Sequence, residues 1–326
     1  MSSSSSISAP NAVAKKPLST FGGFVAGGIA ACGAVTVSNP IEVVKTRMQL
    51  QGELAARSET KRIYTGLFQA LGTIAKHEGI VACQRGLMSA YFYQVSLNGC
   101  RLGFYEPVRV ALTRAVKGDD FDYHIATSSP VYINALAGCA SGVMGAIIGS
   151  PFYLIKTKQQ SYSPVFKVGD QTHYRNFVHG IRTIYGTEGF RGLYRGLDAA
   201  IIRTGAGSSV QLPIYNAAKY AIDKYNIVND GPLRHLLASS LSGMGVGVVM
   251  NPFDVISTRM YNQKGDGVKY KNALDCMIKT VTIEGPLALY KGFLPQLLRI
   301  CPHTILCLMF LEQTSKLMKK IEGIPL

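Results

Sequence analysis

Two stretches, Phe21 to Ser38 and Pro130 to Ile155, carry no charged residue. At about 1.5 Å per helical residue they are long enough to reach across a hydrocarbon core of roughly 30 Å, which predicts at least two membrane-spanning helices. Each runs into a proline followed by charge, in "NPIEVVKTRMQ" from Asn39 and "SPFYLIKTKQQ" from Ser150, and "NPFDVISTRMY" from Asn251 is a third copy of the same text.

The repetition extends further. Tyr64, Tyr174 and Tyr270 each stand fourteen positions before a Glu-Gly pair, at Glu78, Glu188 and Glu284. From those pairs "EGIVACQRG", "EGFRGLYRG" and "EGPLALYKG" run the same length to Gly86, Gly196 and Gly292, and twenty residues on stand Glu106, Asn216 and Glu312. Ordered landmarks recurring three times in register predict three structural repeats. Each reads as a long helix with a proline kink, a basic turn, a short amphipathic helix beginning near the Tyr, and a second long helix beginning at Arg/Lys-Gly. The fold class expected is an all-α membrane protein of six transmembrane helices in three pseudo-symmetric repeats. The expected boundaries are a disordered tail over 1–17 and repeats over 18–118, 125–226 and 230–322. Small residues four apart, Gly27 and Ala31, Gly138 and Gly142, Ser239 and Gly243, predict close helix packing in lipid.

Composition agrees with a membrane solvent: mean hydropathy is positive and only 16% of residues are charged. The net charge of +15 points to an anionic partner. Most of the Lys and Arg residues fall in the segments after the three prolines, as the positive-inside rule places them, and no basic soluble module with exposed aromatics suggests nucleic acid. The seven cysteines form no CxxC pair and fall mostly in apolar segments, so neither disulfides nor a metal site is expected. No cofactor motif is present. The absence of a nucleophile elbow or a nucleotide-binding glycine loop, together with threefold repetition, argues against an enzyme.

Proline, an acid two residues on, a base three further, then the Glu-Gly and Arg/Lys-Gly pairs: this pattern resembles the signature of the mitochondrial carrier family, from about Leu18 onward. The resemblance implies a threefold barrel in the mitochondrial inner membrane, multi-pass and monomeric, with both termini facing the intermembrane space and the short helices in the matrix. It also implies alternating access around a central site, and lipid, cardiolipin included, at the matrix-side helix ends. The matrix gate would pair Glu42 with Lys156 and Asp254 with Lys45; Tyr153 and Ser257 hold the third place, both uncharged. Gln49 and Gln160 would brace it, with Tyr261 in the equivalent third position. The cytoplasmic gate would pair Glu106 with Lys219 and Glu312 with Arg109, leaving Asn216 opposite Ser315. Each gate thus has two ionic pairs and one neutral contact, and the neutral seam joins repeats two and three.

Seven residues after each Arg/Lys-Gly glycine stand Tyr93, Arg203 and Arg299, and eight further Arg101, Gln211 and Cys307. Arginine is costly in lipid and belongs at a polar cavity, where its planar fork suits carboxylate or sulfate oxygens. With no acid at matching depth on these helices, Arg101, Arg203 and Arg299 are expected to be unpaired and to bind a small dianion. Arg203 with Thr204 is similar to the substrate-contact pair of keto-acid and dicarboxylate carriers, and Gln94 adds a hydrogen-bonding group. The resemblance implies oxaloacetate, sulfate, malonate or related dicarboxylates as substrate, by exchange or proton symport. A dicarboxylate/phosphate exchanger and an uncoupling-type carrier remain alternatives. His303, one turn beyond Arg299, is either a proton-coupling group or simply packed.

Overall fold

The computed structural model describes residues 20–55, 63–117, 131–225, 232–265 and 269–323; the expected tail over 1–17 lies outside them. Six long helices occur among the described residues: α1 (Thr20–Leu50), α3 (Leu87–Lys117), α4 (Val131–Ser161), α6 (Leu197–Lys224), α7 (Pro232–Asn262) and α9 (Phe293–Ile321). Between the members of each pair lies a short helix, α2 (Leu67–Glu78), α5 (Phe177–Leu193) or α8 (Ala273–Lys279). No strand occurs among the described residues. The long helices close a ring, α1 on α3, α3 on α4, α4 on α6, α6 on α7, α7 on α9 and α9 back on α1.

Helices α1 and α4, and the stretch leading into and through α9, are apolar enough to cross a membrane. The other long helices, α3, α6 and α7, are of similar length and carry more polar and charged residues. The prolines do not end their helices. Pro40, Pro151 and Pro252 sit inside α1, α4 and α7, which continue to Leu50, Ser161 and Asn262. The expected basic turn is therefore helical: losing one backbone hydrogen bond at proline is offset by burial of the segment beyond it. Helices α1, α4 and α7 converge there and touch one another.

A small apolar core underlies each short helix at this end. In repeat one it holds Val43, Val44, Tyr64, Leu67 and Ile74; in repeat two Leu154, Ile155, Tyr174 and Ile184; in repeat three Ile256, Met260, Tyr270 and Cys276. The landmark tyrosines of the repeat are thus core residues, and burial pushes the Cys276 thiol up to about 12, which makes it inert. The Arg/Lys-Gly glycines have positive φ, +75° at Gly86, +81° at Gly196 and +77° at Gly292. A Cβ at Gly86 would lie 3.1 Å from the Lys156 carbonyl, and at Gly292 3.2 Å from that of Lys45. Only glycine lets these helix starts meet the next helix so closely.

The small-residue pairs divide. A Cβ on Gly243 would lie 3.2 Å from Ile300 Cγ2, the close packing expected, but on Gly27 or Gly138 it would meet nothing within 4 Å, whereas Gly33 closes on Phe310, Gly145 on Leu97 and Gly149 on Tyr93. The tight packing lies closer to the converging end, because the helices splay towards the other one.

Candidate functional site

The converging end brings together the charges that follow the three prolines. Lys156 Nζ lies 2.8 Å from Glu42 Oε1, and Lys45 Nζ lies 3.1 Å from Asp254 Oδ2. All four side chains are nearly buried. Gln160 accepts a hydrogen bond from Thr46 and donates to Asn39, and Gln49 accepts one from Thr258, so both glutamines bond across helices just beyond the ion pairs. Tyr261 shares a hydrogen bond with Ser150.

The expected third contact is absent. Ser257 Oγ donates to the Ala199 carbonyl at 3.1 Å, one helix away. Tyr153 instead packs its ring between Tyr93 and Tyr261, with centroids 5.0 and 4.9 Å away. A small buried hydroxyl satisfies its donor with the nearest backbone acceptor, while the large ring gains more from aromatic packing than from reaching for it.

The arginines also depart from expectation. Arg203 Nη1 donates to Asp254 Oδ1 at 2.9 Å and Nη2 to Tyr93 Oη at 3.3 Å, and the guanidinium lies over the Tyr153 ring at 5.6 Å. Arg299 Nη1 donates to Glu42 Oε1 at 3.2 Å. Neither is unpaired. Their own helices lack acids at this depth, but the neighbouring proline helices supply them once they converge. Arg203 and Arg299 each retain a buried Nε–H with no acceptor among the described residues. Lys45, Lys156, Arg203 and Arg299 thus face two carboxylates, Glu42 and Asp254, and the cluster carries two surplus positive charges.

Of the remaining candidates, Gln94 is half-buried beside Tyr93. Thr204 Oγ1 donates to the Ala200 carbonyl of its own helix, so its proton is not available to an anion here. His303 is half-buried, with Nδ1 3.1 Å from Ser38 Oγ. The Arg101 side chain lies outside the described residues, although its backbone is part of α3.

At the opposite end the expected cross-repeat pairs are not formed. Glu106 bonds to Arg109 of its own helix at 2.8 Å, and Glu312 to Lys316 of its own at 2.7 Å; both acids are largely exposed. Asn216 is exposed, and Lys219 and Ser315 are partly so. The proline helices converge at the other end and not here, so Glu106 and Glu312 take local i, i+3 and i, i+4 partners, while Arg234 pairs with Asp223 across α7 and α6.

A third ionic layer was missed from the sequence although its landmarks were in view. Arg47 is fully buried and donates to Glu78 at 2.5 and 3.0 Å, to Tyr64 Oη and to the Gln160 and Tyr162 carbonyls; Arg85 also reaches Glu78. In repeat three Arg259 donates to both oxygens of Glu284, which also binds Lys291. In repeats one and three the Glu-Gly acid therefore ties the short-helix segment to its own long helix. Repeat two departs: Glu188 binds Arg195, while Lys158, in the place of Arg47, donates to the carbonyls of Asn262 and Gln263. The signal was available, since Arg47 and Arg259 share one register position, seven residues after Pro40 and Pro252.

The family model described as "Mitochondrial carrier protein" matches residues 16–115, 127–226 and 229–322. The "Mitochondrial oxaloacetate transport protein" of Saccharomyces cerevisiae is 56% identical over 95% of this chain and 94% of its own length. A protein of the same name from Schizosaccharomyces pombe is 52% identical over 96% of each chain. The "Mitochondrial citrate transporter E" of Aspergillus niger is 50% identical over 93% of this chain and 95% of its own.

Proposed function

The chain belongs to the mitochondrial carrier family, and we propose that it carries oxaloacetate and similar small dianions, sulfate and malonate included, across the mitochondrial inner membrane by alternating access. The observation that carries this reading is the charge surplus of the central cluster. Four cations against two carboxylates leave two positive charges, which one dianion balances. An unbalanced buried charge is expensive, so the cluster favours an anion of this valence, and the free Nε–H groups of Arg203 and Arg299 give it donors. The names of the Saccharomyces and Schizosaccharomyces relatives support oxaloacetate among the dianions.

In this reading Arg203, Arg299 and Arg101 bind the anion, and Tyr93, Gln94 and Thr204 shape the site around it. The closed end faces the matrix, the open end and both termini face the intermembrane space, and the chain works as a monomer. Glu42, Lys45, Lys156 and Asp254 form the matrix gate. Glu106, Arg109, Asn216, Lys219, Glu312 and Ser315 form the cytoplasmic gate, meeting only when the matrix gate parts. A cleft of about 230 Å³ lined by Arg85, Gly86, Tyr162, His173, Tyr174 and Arg175 would take a lipid phosphate such as that of cardiolipin. His303 is the proton-coupling candidate; uptake by His303→Gln with an unaltered dependence on a pH gradient would remove it.

The test is reconstitution in liposomes with a panel of oxaloacetate, malonate, sulfate, phosphate, citrate and ADP, with and without an imposed pH gradient. Saturable uptake of oxaloacetate or sulfate, lost in Arg203→Ala and Arg299→Ala, is expected. Rapid ADP exchange without dianion uptake would sink the proposal. Citrate as the best substrate would move it to the citrate reading that the Aspergillus relative's name suggests.

A further inference from the structure

We infer that Arg203 closes the seam between repeats two and three in place of the missing third gate pair, and that the carried anion opens this seam by taking Arg203 away from Asp254. The inference rests on the reading of Arg203 as an anion ligand, and adds to it that site and gate share one residue.

The three seams of the closed end are built differently. Repeats one and two are joined directly by Glu42 and Lys156, and repeats three and one by Asp254 and Lys45. Between repeats two and three, Tyr153 and Ser257 do not meet, since Ser257 is committed to the Ala199 carbonyl and Tyr153 to its aromatic neighbours. At the closed end, among the described residues, the ion pair that links a long helix of repeat two to one of repeat three is Arg203 with Asp254; Arg234 with Asp223 joins α7 to α6 at the opposite end. Hydrogen bonds from Lys158 and Ser161 to Asn262 and Gln263 also cross this seam, and Lys269 with Asp170 spans it in the loops, but these lie beyond the site. Arg203 is held in place from three sides, by Asp254, by Tyr93 Oη and by the Tyr153 ring beneath it. The uncharged Tyr153 thus acts as the platform for a cation that its own repeat supplies from α6.

This arrangement couples binding to opening. An anion in the cavity competes with the Asp254 carboxylate for the same guanidinium. When it wins, Asp254 keeps Lys45, so no charge is stranded, but the seam loses its ion pair. At the other two seams a direct Lys–carboxylate pair would survive the same exchange. The weakened seam is therefore the one expected to part first.

The prediction concerns equilibrium binding to the purified full chain in lipid nanodiscs, measured by calorimetry with oxaloacetate and with sulfate as probes. Asp254→Asn frees Arg203 from its competitor and should lower Kd by about five- to tenfold, the factor that a charge-assisted hydrogen bond of modest net strength corresponds to. Lys45→Gln removes the other partner of Asp254 while leaving Arg203 tied, and should weaken the gate without tightening binding. An unchanged Kd in Asp254→Asn, or an equal tightening in Lys45→Gln, overturns the inference. If Arg203→Gln binds both probes as the parent does, it is the assigned site that falls.

A substrate-free arm covers the case in which Asp254→Asn does not fold. The double change Tyr153→Asp, Ser257→Lys installs the third ionic pair. Arg203→Gln should lower the apparent Tm of the parent by a few degrees, on the order of 3–6 °C, and by less than half as much in that background. Equal losses in the two backgrounds would mean that Arg203 does not hold the seam.

Discussion

Replacing Glu284 by Gln separates the buried ionic layer from a set of surface ion pairs. The Glu284 side chain is 2% exposed and accepts from Arg259 at 2.5 and 2.9 Å, from Lys291 at 2.5 Å and from the Leu54 N–H at 2.9 Å. Its amide replacement has one acceptor and no charge, and leaves Arg259, itself fully buried, without a counter-ion. Breaking such a pair from one side costs about 3–5 kcal/mol. At roughly 2–3 °C per kcal/mol for a chain of this size, the apparent Tm in nanodiscs should fall by on the order of 10 °C. The register-equivalent change, Glu188→Gln, should cost far less. Glu188 holds Arg195 alone, with side-chain exposures of 23% and 18%, and Lys158 is satisfied by carbonyls elsewhere; about 1 kcal/mol is lost, or roughly 3 °C. Differential scanning fluorimetry on the two variants side by side measures the difference. Equal losses would refute the argument that repeat two has given up this pin.

Acid should expose the same layer. Burial alone would raise the Glu78 and Glu284 carboxyls, but hydrogen bonds and charge from Arg47 and Arg85, and from Arg259 and Lys291, hold both below the usual carboxylate range. A depressed carboxylate contributes stability above its unfolded value, about 4.3 for Glu, and loses it as pH falls towards the folded one. Tm should therefore decline below about pH 4.3, with a shallower slope in Glu284→Gln; an identical slope would count against the assignment. Lys269 bridges Glu53 and Asp170 at 3.1 and 3.0 Å, one residue from each repeat. Lys269→Gln should destabilise by about 0.5–1 kcal/mol, Lys269→Arg by less, read by the same fluorimetry. Gly292→Ala forces a side chain into φ +77° with its Cβ 3.0 Å from Gln49 Cγ; a loss of about 2 kcal/mol or more is expected, and an unchanged Tm would mean that the two helices separate at no cost.

Much of the architecture was legible because it repeats. A landmark recurring three times constrains helix length, short-helix position and the register of the gate charges together, while the pairing of Glu42 with Lys156 and Asp254 with Lys45 came from the family resemblance. Lys269 shows the limit of this method. It stands immediately before Tyr270, whereas Asp170 stands four residues before Tyr174, so no symmetry relates the members of that bridge. Thr204 shows another: a helical threonine can turn its hydroxyl back to its own carbonyl, and the residue type alone does not say whether it does.

Which charges exist, how deep along their helices they lie, and that repeats two and three lack a gate pair can all be read from the order of residues. These are properties of local composition and period, and they hold in every conformation of the chain. Whom each charge meets is set by how the helices pack. Arg203 and Arg299 find acids because α1, α4 and α7 converge at one end, and Glu106 and Glu312 fall back on their own helices because the ring is splayed at the other. Partners in a ring that closes at one end depend on which end is closed, a fact that lies in the packing of six helices and not in any one of them.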